Sequence, residues 1–269
     1  PDLDAALAKW ATFPVSAEPR PIVGLDDLPA PVDGFATDAA KLAFLCRQID
    51  VAIDDYPDTP DQVNVGWADG TSSTHRAISA ADVAARIEAA GVPKDIDCSG
   101  VQPVRLTGVS LGTAALRTDR GAGQADTWLF TGPEVTGDGL GYPALHPDEY
   151  WTYPAELRAG QLPVVAVSAD GRALTVYFYG TPTGAGACTS EYEARVAEST
   201  TAVAVAIRTL PPAQPAPTNV ACPEIAQLRM VDVELAEPLS GRVVVDQTGA
   251  LAPVCPAGRV DTTAGPPAC

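Results

Sequence analysis

Val164-Val165-Ala166-Val167-Ser168-Ala169-Asp170-Gly171-Arg172-Ala173-Leu174-Thr175-Val176-Tyr177-Phe178-Tyr179 is a pair of β-rich runs around an Asp-Gly dipeptide. Asp-Gly is a strong hairpin signal, because a type I′ turn needs positive φ at both central residues. With Asp170 and Gly171 as the loop, Val167 should face Leu174 and Val165 should face Val176. Pro163 should face Phe178 on the same side, while Ala166 meets Thr175 and Val164 meets Tyr177 on the other. Both sides are mostly apolar, so central strands covered on both faces are expected.

Downstream, Tyr192–Ala197 and Ala202–Arg208 form a second pair. A Ser199-Thr200 loop would place Tyr192 opposite Ile207, Ala194 opposite Val205 and Val196 opposite Val203. One face of this pair is apolar and the other mixed, which suits a position nearer a sheet edge. Ala226–Glu234, Gly241–Asp246 and Leu251–Val254 read as later strands, and Pro211–Pro217 as a polyproline-like connector.

Upstream, three helices are expected. Asp2–Phe13 carries Leu3, Leu7 and Trp10 on one stripe before Pro14, and Asp38–Ile49 follows Thr37. The third is opened by Ser79 with Asp82 at the capping-box position and closed by Gly91 and Pro93. A short hairpin around Asp69-Gly70 interrupts them, and strands are expected at Val101–Leu106, Val109–Arg117 and Ala125–Phe130. The fold class read from this order is α+β. It comprises a helix-rich region over 1–98 and a mainly antiparallel β region over 99–269, with the boundary at the Cys98 loop.

The chain has 269 residues, a 46% apolar fraction and a net charge of −17. Its acidic field repels phosphate backbones and anionic lipid heads, so nucleic-acid and membrane-surface partners are set aside. No apolar run is long enough for a membrane span. Arg outnumbers Lys, 14 to 3, in an Ala- and Pro-rich chain, a usage typical of high-GC genomes. Six cysteines without a C-x-x-C pair point to disulfides rather than zinc. Of the fifteen pairings, sequence order is favoured: Cys46 with Cys98, Cys188 with Cys222, and Cys255 with Cys269. These cysteines, and a chain that begins at Pro1 rather than Met, place the protein outside the cytoplasm, secreted or associated with the cell envelope.

Motifs that could carry chemistry are few. Gly108-Val109-Ser110-Leu111-Gly112 matches the nucleophile elbow, but no strand–helix alternation surrounds Ser110, so an extended segment is expected. His75 and His146 lack the spacing that brings two imidazoles to one metal. Asp54, Asp55, Asp58 and Asp61 do not fit a calcium loop and read as a solvated acidic turn. No catalytic set and no cofactor are therefore assigned. Tyr142, His146, Tyr150, Trp151 and Tyr153 are the candidate binding residues. They crowd five amphipathic rings into a Gly- and Pro-rich loop, where at least two exposed rings would suit a sugar or peptide.

Trp10–Phe13, Arg20-Pro21-Ile22-Val23, Thr118-Asp119-Arg120-Gly121, Trp128-Leu129-Phe130 and Glu198-Ser199 together resemble secreted or lipid-anchored proteins of actinobacteria. That resemblance spans most of the chain, implies an envelope location and transfers no catalytic residues. The function expected is a non-catalytic envelope protein that binds a protein or glycan at the cell surface or assembles with itself. The alternative is a secreted hydrolase that uses a carboxylate pair on glycan or peptide.

Overall fold

A computed structural model of the chain describes residues 2–93, 96–158, 160–184, 188–210, 222, 225–263 and 267–269. Pro211–Pro217, read above as a polyproline connector, lies outside them. Three helices run α1 Leu3–Ala8, α2 Asp38–Leu45 and α3 Ala80–Glu88. The strands are β1 Ala30–Pro31, β2 Ile49–Val51, β3 Gln62–Gly66, β4 Ser72–Arg76, β5 Val104–Leu106, β6 Gly108–Thr118, β7 Gly121–Thr131 and β8 Leu140–Pro143. They continue as β9 Val164–Val167, β10 Ala173–Gly180, β11 Glu191–Glu198, β12 Ala202–Leu210, β13 Gln227–Glu234, β14 Val243–Asp246, β15 Leu251–Ala252 and β16 Val254–Pro256.

This composition corrects the expected fold class. Strand makes up 40% and helix 12%, so the protein is a multi-sheet β structure and not a helical N-terminal region followed by a sheet. The helices are shorter than their apolar stripes suggest, at 6, 8 and 9 residues. α2 stops at Leu45 because Arg47 takes a left-handed φ of 54°, and Ile49–Val51 then extends as β2. Ser79 does cap α3 as read: its hydroxyl accepts from the Asp82 N–H at 3.0 Å and donates to the Asp82 carboxylate at 2.6 Å. Val83, Ala84 and Ile87, spaced 3 and 4 apart, form its buried face.

The chain divides into two compact units. The first comprises Pro1–Leu25, Arg117–Ala122 and Trp151–Cys269, and the second Asp26–Leu116 and Gly123–Tyr150.

In the first unit, two four-stranded sheets in the orders β13-β10-β9-β16 and β11-β12-β14-β15 share a core. Val165, Leu174, Val176 and Phe178 from one sheet pack with Val203, Val205 and Val244 from the other. β12 is buried on both faces because α1 covers its reverse side. Ala6, Leu7 and Trp10 lie over Ala202, Ala204, Val243 and Val245, and the Trp10 indole N–H donates to the Gly249 carbonyl at 2.9 Å. Small alanines on that side of β12 let the helix approach closely, an arrangement worth about 1.5–3 kcal/mol for each large side chain it buries.

The first hairpin has the expected register, with Val167↔Leu174, Ala166↔Thr175, Val165↔Val176 and Val164↔Tyr177. Its turn differs: Gly171 has a positive φ of 73°, while Asp170 is not among the positive-φ residues. Asp170 works through its carboxylate instead, accepting from the Ser168 hydroxyl at 2.6 Å and the Arg172 N–H at 3.1 Å. The second hairpin is displaced from its expected register by two residues. Ala194 pairs with Ile207 and Val196 with Val205, because the Ser199 hydroxyl accepts from the Ala202 N–H at 3.0 Å and makes Thr200-Thr201 the loop. A shift of two keeps every side chain on its expected face.

In the second unit, a sheet runs β1-β8-β7-β3-β4 with β6 also paired to β7, and β2 pairs with β5 in parallel. Ser110 sits inside the extended β6, as its surroundings suggested. Trp128, Phe130, Val63, Val65 and Leu140 are buried, and the Trp128 indole donates to the Ile78 carbonyl at 2.9 Å.

Disulfides join Cys46–Cys98, Cys188–Cys222 and Cys255–Cys269 in sequence order. Among the described residues no helix is long and apolar enough to cross a membrane. Both features are compatible with an extracytoplasmic protein.

Candidate functional site

The five rings read as a binding loop are half-buried, and none is fully exposed. Trp151 meets the Phe13 ring edge-on at 5.7 Å, and Tyr153 packs on Trp10 at 5.3 Å while its hydroxyl donates to the Gly24 carbonyl at 2.6 Å. Both therefore help close the core of the first unit.

The other three rings belong to the second unit. Tyr142 lies on β8, and burial raises its phenol above the ordinary range. The Tyr150 hydroxyl is enclosed without a hydrogen-bond partner, and burial, then the nearby Tyr142, pushes its ionisation far upward. His146 has 36% of its side chain exposed, and its Nδ1 accepts from the Asp148 N–H at 3.3 Å to cap the 3-10 turn Pro147–Glu149. It also lines an open groove with Ser79, Asp82, Arg86 and Pro147.

A tighter constellation lies nearby on β4. Strand alternation puts Ser73 and His75 on one face, and the Ser73 Oγ is 2.7 Å from the His75 Nε2. The His75 Nδ1 is 2.9 Å from a Glu149 carboxylate oxygen, the Arg76 Nε is 3.2 Å from the other, and the Trp67 indole Nε1 is 3.0 Å from the Ser73 Oγ. His75 is nearly enclosed, with 1% of its side chain exposed against 11% for Glu149. Burial alone would raise the Glu149 carboxyl, but hydrogen bonds from His75 and Arg76 outweigh it and hold the group below its ordinary value.

The polarity of this chain of contacts follows from its ends. An indole N–H only donates and a carboxylate only accepts. With a neutral imidazole, Nδ1–H must therefore donate to Glu149, and the Ser73 hydroxyl must donate to Nε2. Histidine spacing tested only against metal patterns misses this group. The alternating Ser-x-His of β4 was a usable signal, whereas the arrival of Glu149 from 74 positions away left no trace in the local sequence.

The carboxylates that the fold brings together here are Asp148 and Glu149, and both engage Arg76. A lowered Glu149 is the wrong direction for a general acid, whose proton must be retained near neutral pH.

Large apolar side chains are exposed on both units, Leu45, Val92 and Leu111 among them on the second and Tyr179, Ile225 and Met230 on the first. Core-facing Leu174, Val176 and Phe178 alternate along β10 with outward-facing Thr175, Tyr177 and Tyr179, and the last pair with Met230 and Leu228 of β13. Tyr179 is 49% exposed and Met230 is 70% exposed. β9, by contrast, is covered on both sides through Val164, Val165 and Ala166, so the double coverage expected of this hairpin fails only on β10.

Comparison with known proteins gives no match to a family model, a curated protein or a solved structure.

Proposed function

We propose that the protein acts at the cell envelope by binding, holding a protein or glycan partner, or a second copy of itself, on the outer face of the β13-β10 pair. The observation that carries this reading is the exposed Tyr179–Met230 pair. Met230 is opposite Tyr177 and Leu228 is opposite Tyr179, so Tyr179 and Met230 are diagonal neighbours on one face of the sheet. Tyr supplies an amphipathic ring and Met an adaptable apolar chain, both enriched in contact surfaces. A further support is that β13 lies at the edge of its sheet among the described residues, beside this patch. Three disulfides and the resemblance to actinobacterial envelope proteins point to the compartment.

The test compares the wild-type protein with Met230→Asp and Tyr179→Ala in co-sedimentation with envelope fragments and in light scattering of the purified protein. The expected outcome is a loss of binding or self-association of about tenfold or more for either variant, with an unchanged melting temperature. Equal binding by all three proteins would dismiss this face.

The hydrolase reading is kept as a second one for a single reason, the Ser73–His75–Glu149 contacts, and not for a pair of carboxylates.

A further inference from the structure

We propose that Ser73 is an activated nucleophile, with His75 as its general base, and that the second unit cleaves esters of short, uncharged acyl groups. This does not rest on the binding reading, which concerns the other unit, and it stands or falls separately.

The geometry meets the requirements of nucleophilic catalysis one at a time. A serine hydroxyl is a poor nucleophile unless a base within about 2.6–3.2 Å takes its proton. Here Nε2 lies 2.7 Å from Oγ. The base must present an unprotonated nitrogen to the serine, which a carboxylate on Nδ1 ensures by fixing the tautomer. Glu149 does so at 2.9 Å. That carboxylate must itself be ionised and held. The Arg76 contact at 3.2 Å holds it, and its lowered affinity for a proton keeps it charged. Trp67 donates its indole N–H to Oγ at 3.0 Å, which fixes the hydroxyl so that its own hydrogen is directed to Nε2.

Access separates this group from a sealed polar cluster. His75 is buried, but Ser73 and Glu149 are half-buried, and Ser73 lies on β4, an edge strand of its sheet. An acyl carbon can therefore approach the hydroxyl, while the base stays out of water. The indole beside Oγ favours an apolar acyl chain, and the net charge of −17 disfavours anionic esters.

The step balances with water as the only co-reactant. The Ser73 O–H proton passes to His75 Nε2 as Oγ bonds to the acyl carbon. The ester C–O bond then breaks, and the alcohol leaves with the proton from His75. Water adds to the acyl-serine in the same way and returns Ser73 and the free acid. Ser73 and His75 are the catalytic residues, and Glu149 is a positioning residue.

The experiment incubates the whole folded protein with a fluorophosphonate–biotin probe, maps the adduct by peptide mass spectrometry, and follows hydrolysis of p-nitrophenyl acetate. The expected result is one adduct, on Ser73, that is absent from Ser73→Ala. Labelling should fall at least tenfold in Glu149→Gln and recover in part in Glu149→Asp. Ser73→Ala removes only a hydroxyl from a half-buried site, and a matching melting temperature shows that it folds. Because His75 is buried and its truncation can unfold the chain, the wild-type adduct position decides the matter without it. No adduct on Ser73, or slow labelling spread over many serines, overturns the proposal and leaves His75 as a strut between β4 and the Pro147–Glu149 turn.

Discussion

Gly121 shows how much one residue can hold in place. Its φ of +83° lies where L side chains are strained, and a Cβ there would clash with the Cys269 Sγ and meet the Val254 carbonyl at 3.1 Å. Gly121→Ala is therefore expected to destabilise the protein by about 2 kcal/mol or more, read as a lower midpoint in urea unfolding. An unchanged midpoint would mean that the turn and the disulfide move aside freely. Tyr150 carries the opposite expectation. Its hydroxyl is enclosed without a partner, so Tyr150→Phe should raise stability by up to about 1–3 kcal/mol, the range for relieving an unsatisfied buried group. A loss of stability on the same substitution would reveal a hydrogen bond to water.

Acid sensitivity is also set by single residues. Glu149 and Glu198 sit below the ordinary carboxyl value of 4.5 because hydrogen bonds to the ionised forms outweigh burial. They come from His75 and Arg76 in one case, and from the Ala236 N–H and Arg242 in the other. A depressed folded-state value contributes stability that is present above the unfolded value and lost as pH falls through the folded one. Melting temperature should thus fall below about pH 4.5, and Glu198→Gln should start lower at neutral pH with a shallower acid limb. A wild-type melting temperature that stays flat down to pH 2 would contradict this.

Local chemistry decided what could be read at the level of elements. The register of β9 and β10 was legible because the Asp170-Gly171 turn and the side-chain alternation agree within sixteen residues. Ser199 hid the register of β11 and β12, since its hydroxyl takes a capping role and moves the loop onto Thr200-Thr201. Helix lengths were overread for a similar reason. The apolar stripes of α1 and α2 continue past their last turn, but α1 gives way after Ala8 to i→i−3 turns at Trp10, Ala11 and Phe13, and the left-handed Arg47 ends α2. The parallel pairs β12 with β14 and β16 with β9 join residues far apart in sequence, and no short pattern announces them. The Cys255–Cys269 bridge ties β16 to the chain end. The double variant Cys255→Ser, Cys269→Ser should lose about 3 kcal/mol, measured by denaturant unfolding. A loss below about 0.5 kcal/mol would show the tail to be held by other contacts.

For the molecule as a whole, the division into units was the least legible feature, because the chain leaves the first unit at Leu25 and returns to it twice. Six cysteines without zinc spacing pointed to disulfides, and the three disulfides present are compatible with an extracytoplasmic protein. The candidate site divided in the same way. Trp151 and Tyr153 were visible as amphipathic rings, but their burial against Phe13 and Trp10 depends on partners some 140 residues away in sequence. The Tyr179–Met230 pair was invisible for the same reason, since it forms only when β13 docks beside β10. Hydrogen–deuterium exchange on the whole protein, with and without envelope fragments, tests the binding account most directly. The account predicts slowed exchange confined to β10 and β13 when the fragments are present. Protection confined to other segments, or none at fragment concentrations where the protein co-sediments, would contradict it.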